Sequence, residues 1–120
     1  MIYDDSGQAQ EACREWQKIL RLQDWDITVD ILRDRDMKLG SGQAEVHWKA
    51  VNRSAIVHLL DPTDYQNNYF EQDHERSLVH ELLHLHMVMF ATETDTPEDT
   101  AQEQAVDAIA KALVTLKRRE

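Results

Sequence analysis

The sequence predicts an α+β domain, and two observations carry that prediction. Apolar residues repeat at helical spacing near the start, switch to alternation through the middle, and return to helical spacing over the last third. Length and composition agree: 120 residues, 42% hydrophobic and 30% charged, suit one packed core beneath a charged surface. No repeat, low-complexity tract or change of composition divides the chain, so residues 1–120 are expected to form a single domain.

From Gln8 to about Leu22, the residues Ala9, Ala12, Cys13, Trp16, Ile19 and Leu20 form one buried helical stripe. Trp25 to Leu32 alternates, with Ile27, Val29 and Ile31 on one side and Asp26, Thr28 and Asp30 on the other, as in a half-buried strand. Arg33 to Gly42 carries five charged residues with Gly40 and Gly42 and reads as an exposed connection. Gln43 to Val51 alternates through Ala44, Val46 and Trp48, Ser54 to Leu60 is β-rich, and Asn52-Arg53 between them makes a hairpin. Asp61-Pro62 stops that strand, because proline lacks the amide proton a ladder needs.

The run from about Gln72 to Phe90 has Leu78, Val79, Leu82, Leu83, Leu85, Met87, Val88, Met89 and Phe90 nearly all round a helix, which must therefore be central and buried. Thr96 caps a last helix, with Pro97 at its first position and Asp99 in its first turn. That helix is expected to reach about Lys117 and to bury Ala105, Ile109, Ala112, Leu113 and Leu116. Trp16, Trp25 and Trp48 sit at core-facing periodic positions.

With 13 Lys+Arg against 23 Asp+Glu, the formal net charge is −10. Such a chain repels phosphate backbones and anionic lipid, so neither a nucleic acid nor a membrane is expected as partner. The lone Cys13 excludes an intrachain disulfide and a cysteine-rich zinc knuckle and fits a reducing compartment. No apolar run approaches the roughly 20 residues that cross a bilayer. The opening residues lack the basic and apolar regions of a signal peptide, so the expected location is the cytoplasm.

The chemistry concentrates in His80-Glu81-Leu82-Leu83-His84. Residues four apart on a helix differ by about 40° in direction and one turn in height, so His80 and His84 project side by side toward one cation. Glu81 lies about 100° round from His80, placed to address a metal-bound water without ligating. Two zinc ligands and a general base follow from that spacing. A buried helix with two hydrogen-bonded histidines is the bland alternative, but two imidazoles and a carboxylate on an apolar helix need partners, and a metal supplies them. His86 points away, His74 is expected in solvent, and His47 and His58 read as sheet residues, with His58 at most bordering the cleft.

A catalytic zinc keeps three protein ligands and one open position. The extended pattern with a glycine and a third histidine downstream is absent, because Met87 and Phe90 occupy those places. On the last helix Glu103 can ligate while Asp107, one turn further on the same face, accepts the other N–H of a ligating histidine. Glu98 and Asp99 are rivals for the third ligand, although the helix dipole already favours acidic residues there.

These residues resemble the zincins, and more narrowly the gluzincin branch of thermolysin-like zinc metallopeptidases. The likeness rests on His80-Glu81-Leu82-Leu83-His84 and on Glu103-Gln104-Ala105-Val106-Asp107, which is similar to that branch's Glu-x-x-x-Asp. The order of elements from Trp25 to Leu116 and the small size also resemble compact phage-encoded or bacterial metallopeptidases. The resemblance implies a minimal zincin-like domain in which His80, His84 and Glu103 bind Zn2+, Glu81 is the base and proton shuttle, and Asp107 partners a ligating histidine. It also implies a peptide or protein substrate, with the strand Ser54 to Leu60 as the cleft edge. The chain departs from the family at Gln102, where the thermolysin pattern has Asn, and the further domain that supplies an oxyanion-stabilising His or Tyr is not expected within these 120 residues. Tyr65 and Tyr69 are the candidates to replace that group. The alternative function is a non-catalytic zinc-binding interaction module on the same scaffold.

Overall fold

A computed structural model describes residues 1–39, 42–66 and 69–119; Gly40, part of the expected connection, lies outside them. Helix α1 (Ser6–Leu20) starts at Asp5, whose carboxylate accepts the Gln8 amide, and stops at Arg21, which turns left-handed at φ 61°. Its buried stripe is Ala9, Cys13, Trp16 and Leu20.

Strands β1 (Asp26–Leu32), β2 (Ala44–Lys49) and β3 (Ser54–Leu60) form a mixed sheet in the order β1-β3-β2, with β1 parallel and β2 antiparallel to β3. β3 is thus central, and the expectation that it forms the cleft edge is wrong. A strand paired on both sides has no main-chain groups left for a substrate, and β2 takes the edge position. The opposite edge is occupied by α1. The Gln10 side-chain amide donates to the Ile27 carbonyl and accepts the Val29 amide, both at 2.9 Å, and Ser6 Oγ accepts the Ile31 amide at 2.9 Å. A helix side chain thereby completes the ladder that an edge strand leaves unpaired.

The helix-facing side of the sheet buries Ile27, Val29, Ala55, Val57 and Leu59. Trp48 shares that face, opposite Ala55, but is 38% exposed instead of core, because it lines an open recess between the edge strand and the helices. The hairpin turn is also longer than expected: Ala50–Asn52 form a short 3-10 turn closed by Arg53 in the left-handed region. The connection after β1 is not simply exposed either. Asp34–Asp36 make a 3-10 turn, Arg33 grips Asp64 through two hydrogen bonds at 2.8 and 3.1 Å, and Met37 is buried.

Helix α2 (His74–His86) is capped by Asp73 and buries Leu78, Val79, Leu82, Leu83 and Leu85. It ends earlier than the apolar run suggests, leaving Met89 and Phe90 exposed on a short 3-10 turn. His74 corrects a further expectation, being fully buried instead of solvated. The N-terminal segment crosses it: Tyr3 N donates to His74 Nδ1 at 3.1 Å and His74 Nε2 lies 2.8 Å from the Leu60 carbonyl. With Nδ1 accepting, the proton sits on Nε2, and the ring is satisfied as a neutral imidazole.

Helix α3 (Pro97–Arg118) opens with the expected cap, Thr96 Oγ1 accepting the Asp99 amide at 3.1 Å. Its buried residues are Val106, Ala110 and Val114, with Leu113 packed beside them. Ala105, Ile109, Ala112 and Leu116 are exposed, contrary to expectation. The far end is tied down by Arg118, which bonds Glu75 at 3.0 Å and Asp73 at 2.9 Å. No helix among the described residues is long and apolar enough to cross a membrane.

Candidate metal centre

The site forms where α2 meets α3. His80 and His84, one turn apart on α2, hold their rings 5.1 Å apart between centroids. Across from them Glu103 divides its carboxylate, with Oε2 2.9 Å from His80 Nε2 and Oε1 2.9 Å from His84 Nε2. One turn along α3, Asp107 Oδ1 lies 3.5 Å from His80 Nδ1, while its other oxygen takes Lys111 Nζ at 2.9 Å. His80 therefore has a carboxylate at each ring nitrogen. A proton on Nδ1 toward Asp107 leaves the Nε2 lone pair for a cation, which is the tautomer a metal ligand needs.

Glu81 is 8% exposed. Burial pushes its carboxyl up to about 7, opposed by His80 and reinforced by Glu103 and Glu45. Its carboxylate and a ring nitrogen from each of His80 and His84 lie within 4.8 Å of one another. Burial also lowers the proton affinity of His84, against the pull of Glu103, which favours the neutral ligating form. The hydrogen bond from Lys111 keeps Asp107 below the usual carboxylate range, so it stays an acceptor.

Two recesses flank the centre. One, of about 270 Å³, is lined by Glu81, His84 and Glu103 together with Val46 and Trp48 of the edge strand, Leu39, and Met87 and Gln102. The other, of about 310 Å³, adjoins His80 and Asp107 and is walled by Tyr65, Phe70, Arg76 and Ser77. Glu103 is half exposed between the imidazoles and solvent.

The structure thus brings His80, Glu81, His84, Glu103 and Asp107 together, of which helix spacing alone could group only His80, Glu81 and His84. Of the rival acids, Asp99 also lines the recess beside His84 and Glu103 and accepts the Thr92 hydroxyl at 2.9 Å, whereas Glu98 is exposed at the helix start. His86 Nε2 donates to the Leu20 carbonyl at 2.7 Å, away from the centre. Tyr65 borders the recess beside His80 and donates its hydroxyl to the Phe70 carbonyl, whereas Tyr69 is 92% exposed and lines neither recess. Gln102 donates to the Phe90 carbonyl at 3.0 Å, tying α3 to the segment after α2.

Sequence reasoning missed one assembly. Glu45 is buried on β2 with His47 and His58 against it. Its one sequence signal is a buried-type alternation that puts a carboxylate and an imidazole two residues apart on the same strand face; the cross-strand partner needed the register.

No family model, curated protein or solved structure matches this chain.

Proposed function

We propose that the chain is a zinc metallopeptidase of minimal zincin-like, gluzincin-type architecture, hydrolysing bonds in a peptide or protein substrate. The observation that carries this reading is the Glu103 carboxylate set 2.9 Å from Nε2 of both His80 and His84, with Glu81 buried beside them. Two imidazole nitrogens and one carboxylate oxygen, facing a recess, are the donor set of an open catalytic zinc site. His80, His84 and Glu103 would hold the ion, and Asp107 would keep His80 in the ligating tautomer.

Zinc, when bound, supplies Lewis acidity and lowers the pKa of a coordinated water from about 15.7 to about 7. Glu81 would take the proton from that water and return it to the leaving amine, and burial raises its proton affinity in that direction. The substrate strand has a place as well. Gln43 O accepts the Leu60 amide, so by antiparallel alternation the main-chain groups of Ala44, Val46 and Trp48 face outward from β2. An extended peptide added there would run past Glu81 and His84, since Val46 and Trp48 line the same recess.

Replacing Glu81 with Gln tests the assignment. The variant should retain metal while hydrolysis of a quenched-peptide library falls by about 10²- to 10⁴-fold. Undiminished hydrolysis would remove Glu81 from the mechanism. The second reading, a non-catalytic zinc-binding interaction module, is favoured by one observation: the Tyr65 hydroxyl beside the centre is committed to the Phe70 carbonyl instead of pointing an unused donor at an oxyanion. Zinc-loaded wild-type protein with no turnover against the library would select it.

A further inference from the structure

The geometry points to a second divalent-metal site on the outer face of the β2–β3 hairpin, built from Glu45, His47 and His58 and suited to zinc or a neighbouring first-row transition ion. Glu45 pairs directly with His58 across the ladder, and His47 is two residues along β2, so all three project from one face of the sheet. That face is the one opposite Val46 and Trp48, which line the recess holding Glu81 and His84. The cluster is therefore separate from the centre at α2 and α3, and the inference does not rest on the peptidase reading.

Three features argue for an ion. The donor atoms of Glu45, His47 and His58 all lie within 4.8 Å of one another. His47 Nε2 and His58 Nδ1 each approach the same oxygen, Glu45 Oε2, at 2.8 Å, and the Lys38 amide approaches it too at 3.0 Å. A carboxylate oxygen has about two lone pairs, so three donors over-commit it, while Oε1 receives the Leu39 amide at 2.9 Å. A cation among the three side chains resolves the crowding. Both rings then turn lone pairs, not protons, toward the centre, and Oε2 gives one lone pair to the ion and keeps the other for Lys38 N. Finally, the two main-chain amides fix the orientation of a carboxylate that is only 1% exposed, as the outer partners of a metal ligand do.

The dimensions suit. Bonds of about 2.0–2.1 Å in a tetrahedral site place donors about 3.3 Å apart, so the 2.8 Å separations must open by about half an ångström. The 2.9 Å separations around Glu103 need nearly the same adjustment. His47 is partly exposed, which leaves the remaining coordination position to water. An ion here would pin the hairpin to the Lys38–Leu39 segment, and Leu39 is also a wall of the recess beside Glu81.

Elemental analysis of the full chain after zinc loading and desalting, with Co2+ titration followed by visible absorption, tests this. The wild type should carry two equivalents, His58→Gln and His47→Gln one each, and His84→Gln one. Circular dichroism reports whether each variant folds, and His47→Gln, at a partly exposed position, serves if His58→Gln does not. One equivalent in the wild type that His84→Gln removes and His47→Gln leaves in place overturns the second site and spares the first. One equivalent removed by His47→Gln and kept by His84→Gln supports the hairpin site and removes the reading at α2. No bound metal in any form overturns both.

Discussion

His80 and Glu103, 23 residues apart in the chain, meet at 2.9 Å across the α2–α3 contact. The meeting depends on how α3 is rotated. Burying Val106, Ala110 and Val114 turns the adjoining positions 103 and 107 toward α2, and the Arg118 bonds to Glu75 and Asp73 hold the helix there. A carboxylate carried by a packed helix is thereby presented to two imidazoles one turn apart on another.

Replacing Glu103 with Ala should weaken metal binding at this centre by more than about 100-fold, the upper end of what loss of an outer partner produces. Competition against a chromophoric chelator measures it. The helix should persist, since position 103 is half exposed and Ala is the strongest helix former.

Asp107→Asn should act more mildly. It replaces the charged acceptor that steadies the His80 tautomer with a weaker, neutral amide oxygen, so affinity should fall by about 10- to 100-fold while the saturated stoichiometry is unchanged. The Lys111 pair lost with it is exposed and contributes only about 0.3–0.5 kcal/mol, so the melting temperature should barely move.

His74→Leu should destabilise the fold without touching the metal centre. It orphans the Tyr3 amide, which costs about 1–3 kcal/mol when buried and unpaired, while the Leu60 carbonyl keeps the bond from Gln72 Nε2 at 2.8 Å. A urea titration should show a loss of about 1–3 kcal/mol with metal stoichiometry intact.

The cap residue Asp73 should show in acid unfolding. Burial raises its carboxyl, but the hydrogen bond from Arg118 and the Arg76 amide outweigh that and hold it below the ordinary value. A lowered pKa means stability that is complete above the unfolded value of about 3.9 and is lost as pH falls through the native value. Asp73→Asn keeps a capping oxygen and loses the ion pair. It should therefore be less stable than wild type by about 1 kcal/mol at pH 7, with the difference shrinking in parallel thermal melts as the pH falls through the native value of Asp73.

The histidine pair was legible because it is local. Four residues on a helix fix a side-by-side arrangement whatever surrounds it. The strands were legible for the same reason, and Ser54–Leu60 forms over the span its composition suggests. Helix α3 shows the limit. Its apolar residues fall on two stripes, and the one chosen from the pattern, Ala105, Ile109, Ala112, Leu113 and Leu116, lies mostly on the side away from Glu103, with only Leu113 packed against the core. A helix that buried that stripe would have aimed Glu103 away from His80, so the two expectations excluded each other, and packing on α2 kept the ligand face.

His74 and Glu45 failed for a different reason. A polar side chain is buried only when distant main chain satisfies it, and the partners here are Tyr3 and Leu60 for one, Lys38, Leu39, His47 and His58 for the other. From periodicity and short-range spacing alone came the helices and strands, the Thr96 cap and the His80–Glu81–His84 unit, since each is governed by dihedral geometry within a few residues. Tertiary packing alone decided the edge role of β2, the rotation that delivers Glu103 and Asp107, and the cross-strand cluster at Glu45, because these depend on which of several nearly equivalent apolar faces finds the better partner.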